Sequence, residues 1–326
     1  MSAEKQKITL TCEVDSYRSG WTIVEFLAHR FKYHTTERWT ARVAGGWVLV
    51  NGLQVAPNHA VRKGDAVTYT IFHTEPEVDF RYEVVYEDDW LLAISKSGNL
   101  PVHACGVYIR NTLIATLKNI YGDSLNLAHR LDRETSGITL LTKDPQTARA
   151  MGKMFAAGEV GKLYVAVVHG TVARESFEVD APIGKTIEEV TPRPEELEGS
   201  DLADDLPRFV PRRRVDPERG KPAVTRFEVE RRLGGCTLVR AIPLSGRTNQ
   251  IRVHLHHAGH PIVGDKVYKP AEPKEADGLI SRQALHCREL RFSHPMDRRL
   301  VHIAAPYPED FARLVGALEK TGDARA

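Results

Sequence analysis

Asp132 stands between two cations in the segment His129-Arg130-Leu131-Asp132-Arg133-Glu134-Thr135-Ser136-Gly137. Neighbouring Arg130 and Arg133 favour the charged form of its carboxyl group. An ionised carboxylate on a loop can act as a nucleophile or as a general base. On the residues alone, a structural ion pair followed by a Thr-Ser-Gly turn is the plainer reading. A second segment, Lys162-Leu163-Tyr164-Val165-Ala166-Val167-Val168-His169-Gly170, reads as a buried strand with Tyr164 as a core aromatic. A third runs Gly246-Arg247-Thr248-Asn249-Gln250-Ile251-Arg252-Val253-His254-Leu255 and continues through Gly259-His260-Pro261-Ile262-Val263-Gly264-Asp265. Its histidines His254, His256, His257 and His260 invite a metal reading. They lack the HExxH pattern and a third ligand set, so helix-surface and core histidines explain them better. Cys12, Cys105, Cys236 and Cys287 form no CxxC pair, which points to reduced structural thiols rather than zinc or disulfides.

Several elements must position these residues. Thr22-Ile23-Val24-Glu25 has the form of a capping box, with Trp21 and Phe26 placed as a hydrophobic staple. It predicts a helix towards Phe31. A second helix is expected from Thr36 to Ala44, stopped by Gly45-Gly46. Trp47 to Val50 reads as a strand, Asn51-Gly52 as a hairpin turn and Leu53 to Val55 as the return strand. Tyr82 to Tyr86 and Leu91 to Ile94 read as strands around an Asp88-Asp89 turn. Ile138 to Lys143 is a further strand, after which Asp144-Pro145 starts a helix that ends near Gly158. Phe311, Leu314, Val315 and Leu318 have helical spacing and predict a C-terminal helix. Strand runs with interspersed helices give an α+β class with a mixed, mainly antiparallel sheet.

A chain of 326 residues is longer than one usual domain. We read residues 1–75 as a small α+β module, 76–81 as a linker and 82–326 as the main domain. Residues 187–205 hold eight acidic residues and one Arg, and 206–221 hold six basic residues against two acidic. Both stretches contain proline and lack periodicity, so 187–221 reads as a charged surface insertion. Its Arg212-Arg213-Arg214 cluster could touch RNA or simply be solvated. Apolar runs such as Tyr164 to Val168 are too short to cross a bilayer. The opening MSAEKQK offers no signal-peptide core, so a cytoplasmic location is the default. The net charge of +2 does not by itself indicate a partner. Oligomeric state is not legible.

The first chemical segment resembles the HRLD-x-x-TSG signature of RluA-type RNA pseudouridine synthases. The second resembles that family's K-x-Y block, and the third its GRTHQIRVHL…GHPI-x-GD block. Asn249 departs from it, standing at the usual histidine position. Ser97 likewise follows Lys96 where proline is common. Gly220-Lys221-Pro222, Leu285-His286-Cys287 and Phe292-Ser293-His294-Pro295 extend the likeness over roughly residues 82–310. The resemblance implies that Asp132 is the catalytic carboxylate, that Tyr164 stacks on the target base, and that Arg252 pairs with Asp132. It also implies that Arg130 holds the flipped nucleotide's place, that Arg247 serves RNA binding or site organisation, and that neither cofactor nor metal is used. Residues 18–73 are similar to an S4 RNA-binding domain, in which Arg38 and Arg42, four apart on one helix face, would meet phosphates. An ordinary solvated face is the alternative.

Asp132 would cleave the N-glycosidic bond of a flipped uridine by attack on the sugar carbon or by proton abstraction to a glycal. The sequence does not choose between them. The resemblance implies tRNA or 23S-type ribosomal RNA as substrate; the segments Phe72 to Glu77 and Pro101 to Gly106 are more similar to the tRNA-modifying branch. Two rivals remain: a non-catalytic RNA-binding protein, and a glycoside hydrolase with Glu134 as second carboxylate.

Overall fold

The computed structural model describes residues 6–31, 34–73, 75–189 and 209–323. The chain divides into two compact units, one of residues 1–76 with 187–210 and one of residues 77–186 with 211–326.

In the first unit, strand β1 (Gln6–Glu13) is followed by helices α1 (Ile23–Arg30) and α2 (Thr36–Ala44). Strands β2 (Val48–Val50), β3 (Leu53–Gln54) and β4 (Ala66–His73) follow, and the sheet order is β1-β4-β2-β3. The Thr22–Glu25 capping box forms as expected. Trp21 packs edge-on against His29, with ring centroids 5.0 Å apart, while Phe26 is buried. Asn51 and Gly52 both adopt positive φ, which the tight hairpin between β2 and β3 requires. Trp39 and Val43, one helical turn apart, are fully buried and face α2 inward.

The second unit holds a ten-stranded sheet. Its strands are β5 (Tyr82–Glu87), β6 (Leu91–Lys96), β7 (Asn126–Leu127), β8 (Ser136–Thr142), β9 (Gly161–His169) and β10 (Ser176–Asp180). After a separate two-stranded sheet of β11 (Ile183–Glu189) and β12 (Phe209–Val215) come β13 (Val224–Leu233), β14 (Cys236–Pro243), β15 (Leu285–Ser293) and β16 (Leu300–Ala304). The order runs β10-β13-β14-β9-β15-β8-β6-β5, with β16 on β15 and β7 on β8. The pairings are antiparallel except β8 with β15, where Ser136 lies opposite His286 and Gly137 opposite Cys287. Gly137 has φ +103°, and a Cβ there would lie 2.2 Å from the Cys287 carbonyl oxygen, so only glycine permits this approach. The class is α+β, as expected.

β9 is buried from Leu163 to His169 because β14 and β15 flank it and the core covers it. Helices α3 (Leu113–Tyr121), α4 (Pro145–Ala157), α5 (Gln250–His257) and α6 (Glu309–Asp323) complete the unit. Asp144 caps α4 by accepting the N–H groups of Gln146 and Thr147 at 2.8 and 2.9 Å, and Gly158 ends it in the left-handed conformation. Phe311, Leu314, Val315 and Leu318 are buried along α6, as their spacing predicts.

Two expectations differ from the structure. Residues 76–81 were expected as linker, yet 77–81 belong to the second unit, where the Asp79 N–H donates to the Asn99 carbonyl at 3.0 Å. The region 187–221 was expected as an aperiodic, charged surface insertion, yet 187–189 and 209–215 are strand, with Arg212, Arg213 and Arg214 on β12. Strand pairing rather than hydrophobic alternation organises them, which a periodicity reading does not detect. Residues 190–208 lie outside the described residues.

Candidate active site

A cleft of about 540 Å³ opens in the second unit, lined among others by Arg130, Asp132, Tyr164, Lys162, Arg247, Asn249 and Arg252. Five of the seven residues singled out from sequence therefore meet here, although 122 positions separate Arg130 from Arg252.

Asp132 lies on the loop between β7 and β8. Buried Leu131 anchors this loop in the core. The Thr135 N–H donates to the Asp132 carbonyl at 3.1 Å and closes a tight turn. From the other side, the Arg133 carbonyl accepts the N–H groups of Asn99 and Leu100 at 3.0 and 3.2 Å, and Lys96 Nζ at 3.0 Å. Burial pushes the Lys96 pKa down to about 7. The loop is thus pinned at its backbone, which leaves the Asp132 side chain, 30% exposed, free to face the cleft.

Arg252 reaches Asp132 from the first turns of α5. Its Nη1 donates to Asp132 Oδ2 at 2.9 Å. Its Nε and Nη2 donate to the two oxygens of Asp265 at 2.7 and 2.9 Å. Burial opposes the charge of Arg252, but Asp265 and Asp132 outweigh it and raise its pKa. Burial alone would raise Asp265, but Arg252 and the N–H groups of Val267 and Tyr268 hold its carboxyl below the ordinary value. The Tyr268 ring lies beneath the guanidinium, 5.0 Å from centroid to Cζ. Arg252 is therefore fixed in place as a charge-assisted donor.

Asn249 completes the ring. Its amide must place one end towards Asp132 and the other towards the Tyr268 hydroxyl. With oxygen towards Asp132, two acceptors would face each other, so nitrogen faces the carboxylate. Nδ2 then donates to Asp132 at 2.9 Å (Oδ2) and 3.2 Å (Oδ1), and Oδ1 accepts from Tyr268 at 3.1 Å.

Tyr164, on β9, is 9% exposed and lines the cleft wall. Burial, then Cys287 and the charge of Asp132, raise its pKa well above the ordinary value, so the phenol stays neutral. Lys162, two residues earlier on the same strand, donates from Nζ to the Ser245 carbonyl at 3.3 Å, and burial lowers its pKa. Arg130 is exposed at the cleft, and no ion pair engages its guanidinium among the described residues. Arg247 is exposed and donates from Nε to the Pro222 carbonyl at 3.1 Å. His129 accepts the Leu140 N–H on Nε2 at 3.1 Å, and burial holds its pKa at about 3, so it cannot shuttle protons near neutrality.

Arg38 and Arg42 lie on α2 in the other unit. Arg42 donates from Nη2 to the Thr70 carbonyl, so part of its guanidinium serves that unit's own packing. Glu134 is held by Arg133 at 2.8 Å and approached by Lys266 at 3.5 Å, and it does not line the cleft. His254 is a core histidine: its ring nitrogens meet Thr225 Oγ1 at 2.9 Å and the Ala181 carbonyl at 3.0 Å. Among the described residues, no group of three or more His, Cys, Asp or Glu side chains is placed to hold a metal ion.

Sequence reasoning assigned no role to Asp265, Tyr268, Lys162 or Lys96. Asp265 stood within the quoted third segment, but nothing in the order of residues says that a carboxylate 13 positions after Arg252 folds back to clamp it.

Residues 91–257 match a family model described as RNA pseudouridylate synthase. The chain is 33% identical over 298 residues to the ribosomal large subunit pseudouridine synthase C of Escherichia coli (strain K12), covering 86% of each chain. It is 33% identical over 251 residues to the mitochondrial tRNA pseudouridine(32) synthase of Saccharomyces cerevisiae, covering 77% of this chain and 51% of that one. In fold it is similar to human RNA pseudouridylate synthase domain containing 4, with a TM-score of 0.55 and 24% identity over 72% of this chain and 92% of that chain.

Proposed function

The chain belongs to the RNA pseudouridylate synthase family, and we propose that it isomerises uridine in RNA with Asp132 as its catalytic carboxylate. One observation carries the assignment of Asp132. It is the partly exposed carboxylate of a cleft that also presents Arg130, Lys162, Arg247 and the buried Arg252. A cleft of about 540 Å³ is within the usual range for a small-molecule site and suits one extruded nucleotide.

The target uridine flips out of its stack and into this cleft. Asp132, oriented by Arg252, promotes cleavage of the N-glycosidic bond, either at the sugar carbon or by way of a glycal. Tyr164 stacks on the freed uracil as it turns to present carbon in place of nitrogen. A neutral phenol ring supports that role, because it packs against a base without placing a second negative charge beside Asp132. Arg130 fills the space the nucleotide leaves, and Arg247 grips the backbone. Substrate and product are isomers, so no atom or electron has to be supplied from outside.

The N-terminal unit acts as an S4-like RNA-binding module, with Arg38 and Arg42 facing phosphates. The RNA is tRNA or large-subunit ribosomal RNA, and the sequence segments around Phe72 and Pro101 favour tRNA. The family contains relatives named for each. A cytoplasmic place of work accords with either. Glu134, held by Arg133 and Lys266, does not supply the second carboxylate that a hydrolase needs.

The test is pseudouridine mapping on tRNA and ribosomal RNA from cells carrying wild-type protein or Asp132→Ala. Loss of one or a few sites in the mutant supports the assignment and identifies the substrate. Persistence of every site, with purified protein inert on both RNAs, would leave an RNA-binding role in its place.

A further inference from the structure

Asn249 has an unusual position. It precedes the first residue of α5, where asparagine ordinarily caps a helix by accepting a backbone N–H. Here its side chain makes no capping hydrogen bond. Its backbone is left-handed, with φ 57° and ψ 21°, a conformation that asparagine tolerates better than most residues. The amide turns away from the helix and into the cleft, donating to both oxygens of Asp132 while the Tyr268 hydroxyl holds its other end.

We infer that Asn249 is a positioning residue that orients Asp132, sharing Oδ2 with Arg252 and reaching Oδ1 as well. The geometry closes a ring: Asp132 to Arg252, Arg252 to Asp265, Asp265 to the Tyr268 backbone, Tyr268 to Asn249, and Asn249 back to Asp132. Arg252 supplies charge, and Asn249 supplies direction with a donor that cannot titrate. A carboxylate held by two donors keeps one set of lone pairs aimed at the sugar, and the geometry is set before substrate arrives. This inference rests on Asp132 being the catalytic carboxylate.

The other charged or titratable groups around Asp132 are His129, Arg130 and Arg133 on its own loop, Cys105, Lys96 on β6, Tyr164 on β9 and Arg252 on α5. Asn249→Gly keeps the left-handed backbone and removes the amide. Asn249→Asp keeps shape and backbone tolerance but replaces the donor by an acceptor. Both are compared with wild type and with Asp132→Asn in full-length protein, by pseudouridine formation on the RNA identified by mapping.

The expected result for Asn249→Gly is a fall in kcat of about tenfold with KM within about twofold, since a lost hydrogen bond to a charged group is of that order. Asn249→Asp should fall by at least about a hundredfold, because it sets an acceptor against Asp132 where a donor stood. If both variants keep wild-type kcat while Asp132→Asn is inactive, Asn249 serves only the backbone and the inference fails. If Asp132→Asn remains active, the assignment of Asp132 itself fails.

Discussion

Arg252 and Asp265 share a two-pronged ion pair, Nε to Oδ2 at 2.7 Å and Nη2 to Oδ1 at 2.9 Å, which leaves Nη1 alone to face Asp132. The side chain of Asp265 is fully buried. One carboxylate therefore spends its charge on fixing the guanidinium, and the other receives a donor whose position is already set. Removing one member of a buried pair strands the other, at about 3–5 kcal/mol.

Asp265→Asn should accordingly lower stability by a few kcal/mol, on the order of that figure, and reduce kcat by about ten- to a hundredfold. Arg252→Lys should be no milder in rate, because a single ammonium cannot form the fork and reach Asp132 as well. Urea unfolding and single-turnover kinetics check the two halves separately; wild-type rates in both variants would refute the relay.

Tyr164 offers a test of ring against hydroxyl. Tyr164→Phe loses only the contact with Cys287 and should keep activity within about fivefold, with a stability cost of about 1 kcal/mol. Tyr164→Leu removes the stacking face and should lose at least about a hundredfold in kcat. Equal losses in the two would place the hydroxyl, not the ring, in the chemistry.

The parallel pairing of β8 with β15 hinges on Gly137. Gly137→Ala puts a methyl 2.2 Å from the Cys287 carbonyl oxygen at a φ of +103°. It should destabilise the protein by about 2–4 kcal/mol and lower Tm by several degrees. An unchanged Tm would mean that the pairing is not needed.

Two histidines, the buried His286 and the half-buried His129, set an acid sensitivity. Burial depresses His286 to about 4 and His129 to about 3. Below about pH 6.5 the unfolded chain takes up protons that the native state refuses. Stability is therefore full above pH 6.5 and declines as pH falls towards 4 for His286 and towards 3 for His129. The slope is about 1.4 kcal/mol per pH unit for each. Tm measured from pH 7 to pH 4 should fall, and His286→Gln should fall less steeply. An identical slope would exclude His286 as a contributor.

For RNA binding, Arg247→Ala should weaken affinity and reduce the slope of log K against log salt by about 0.7–0.9, the value of one phosphate contact. A salt titration of RNA binding by the inactive Asp132→Asn protein reads this free of turnover. An unchanged slope would remove that residue from the phosphate contacts.

The sequence by itself determined the local elements and the chemical types. The Thr22–Glu25 box, the Asn51-Gly52 turn, the Asp144-Pro145 helix start and the buried face of α6 all form where residue order places them. Each depends on neighbours within four positions, and such interactions are written in the chain directly. The motif segments likewise gave Asp132, Tyr164 and Arg252 as residues to bring together. Only the tertiary structure decided what supports them. Asp265 turns back on Arg252, Tyr268 slides beneath it, and Asn249 abandons its cap for Asp132. The carbonyl of Arg133 is held by a lysine buried 37 positions earlier. β11 and β12 pair across a stretch with no readable period. These contacts join residues far apart in the chain, and burial sets their strength. Residue order alone does not encode which distant partner will share a dry pocket with a charge.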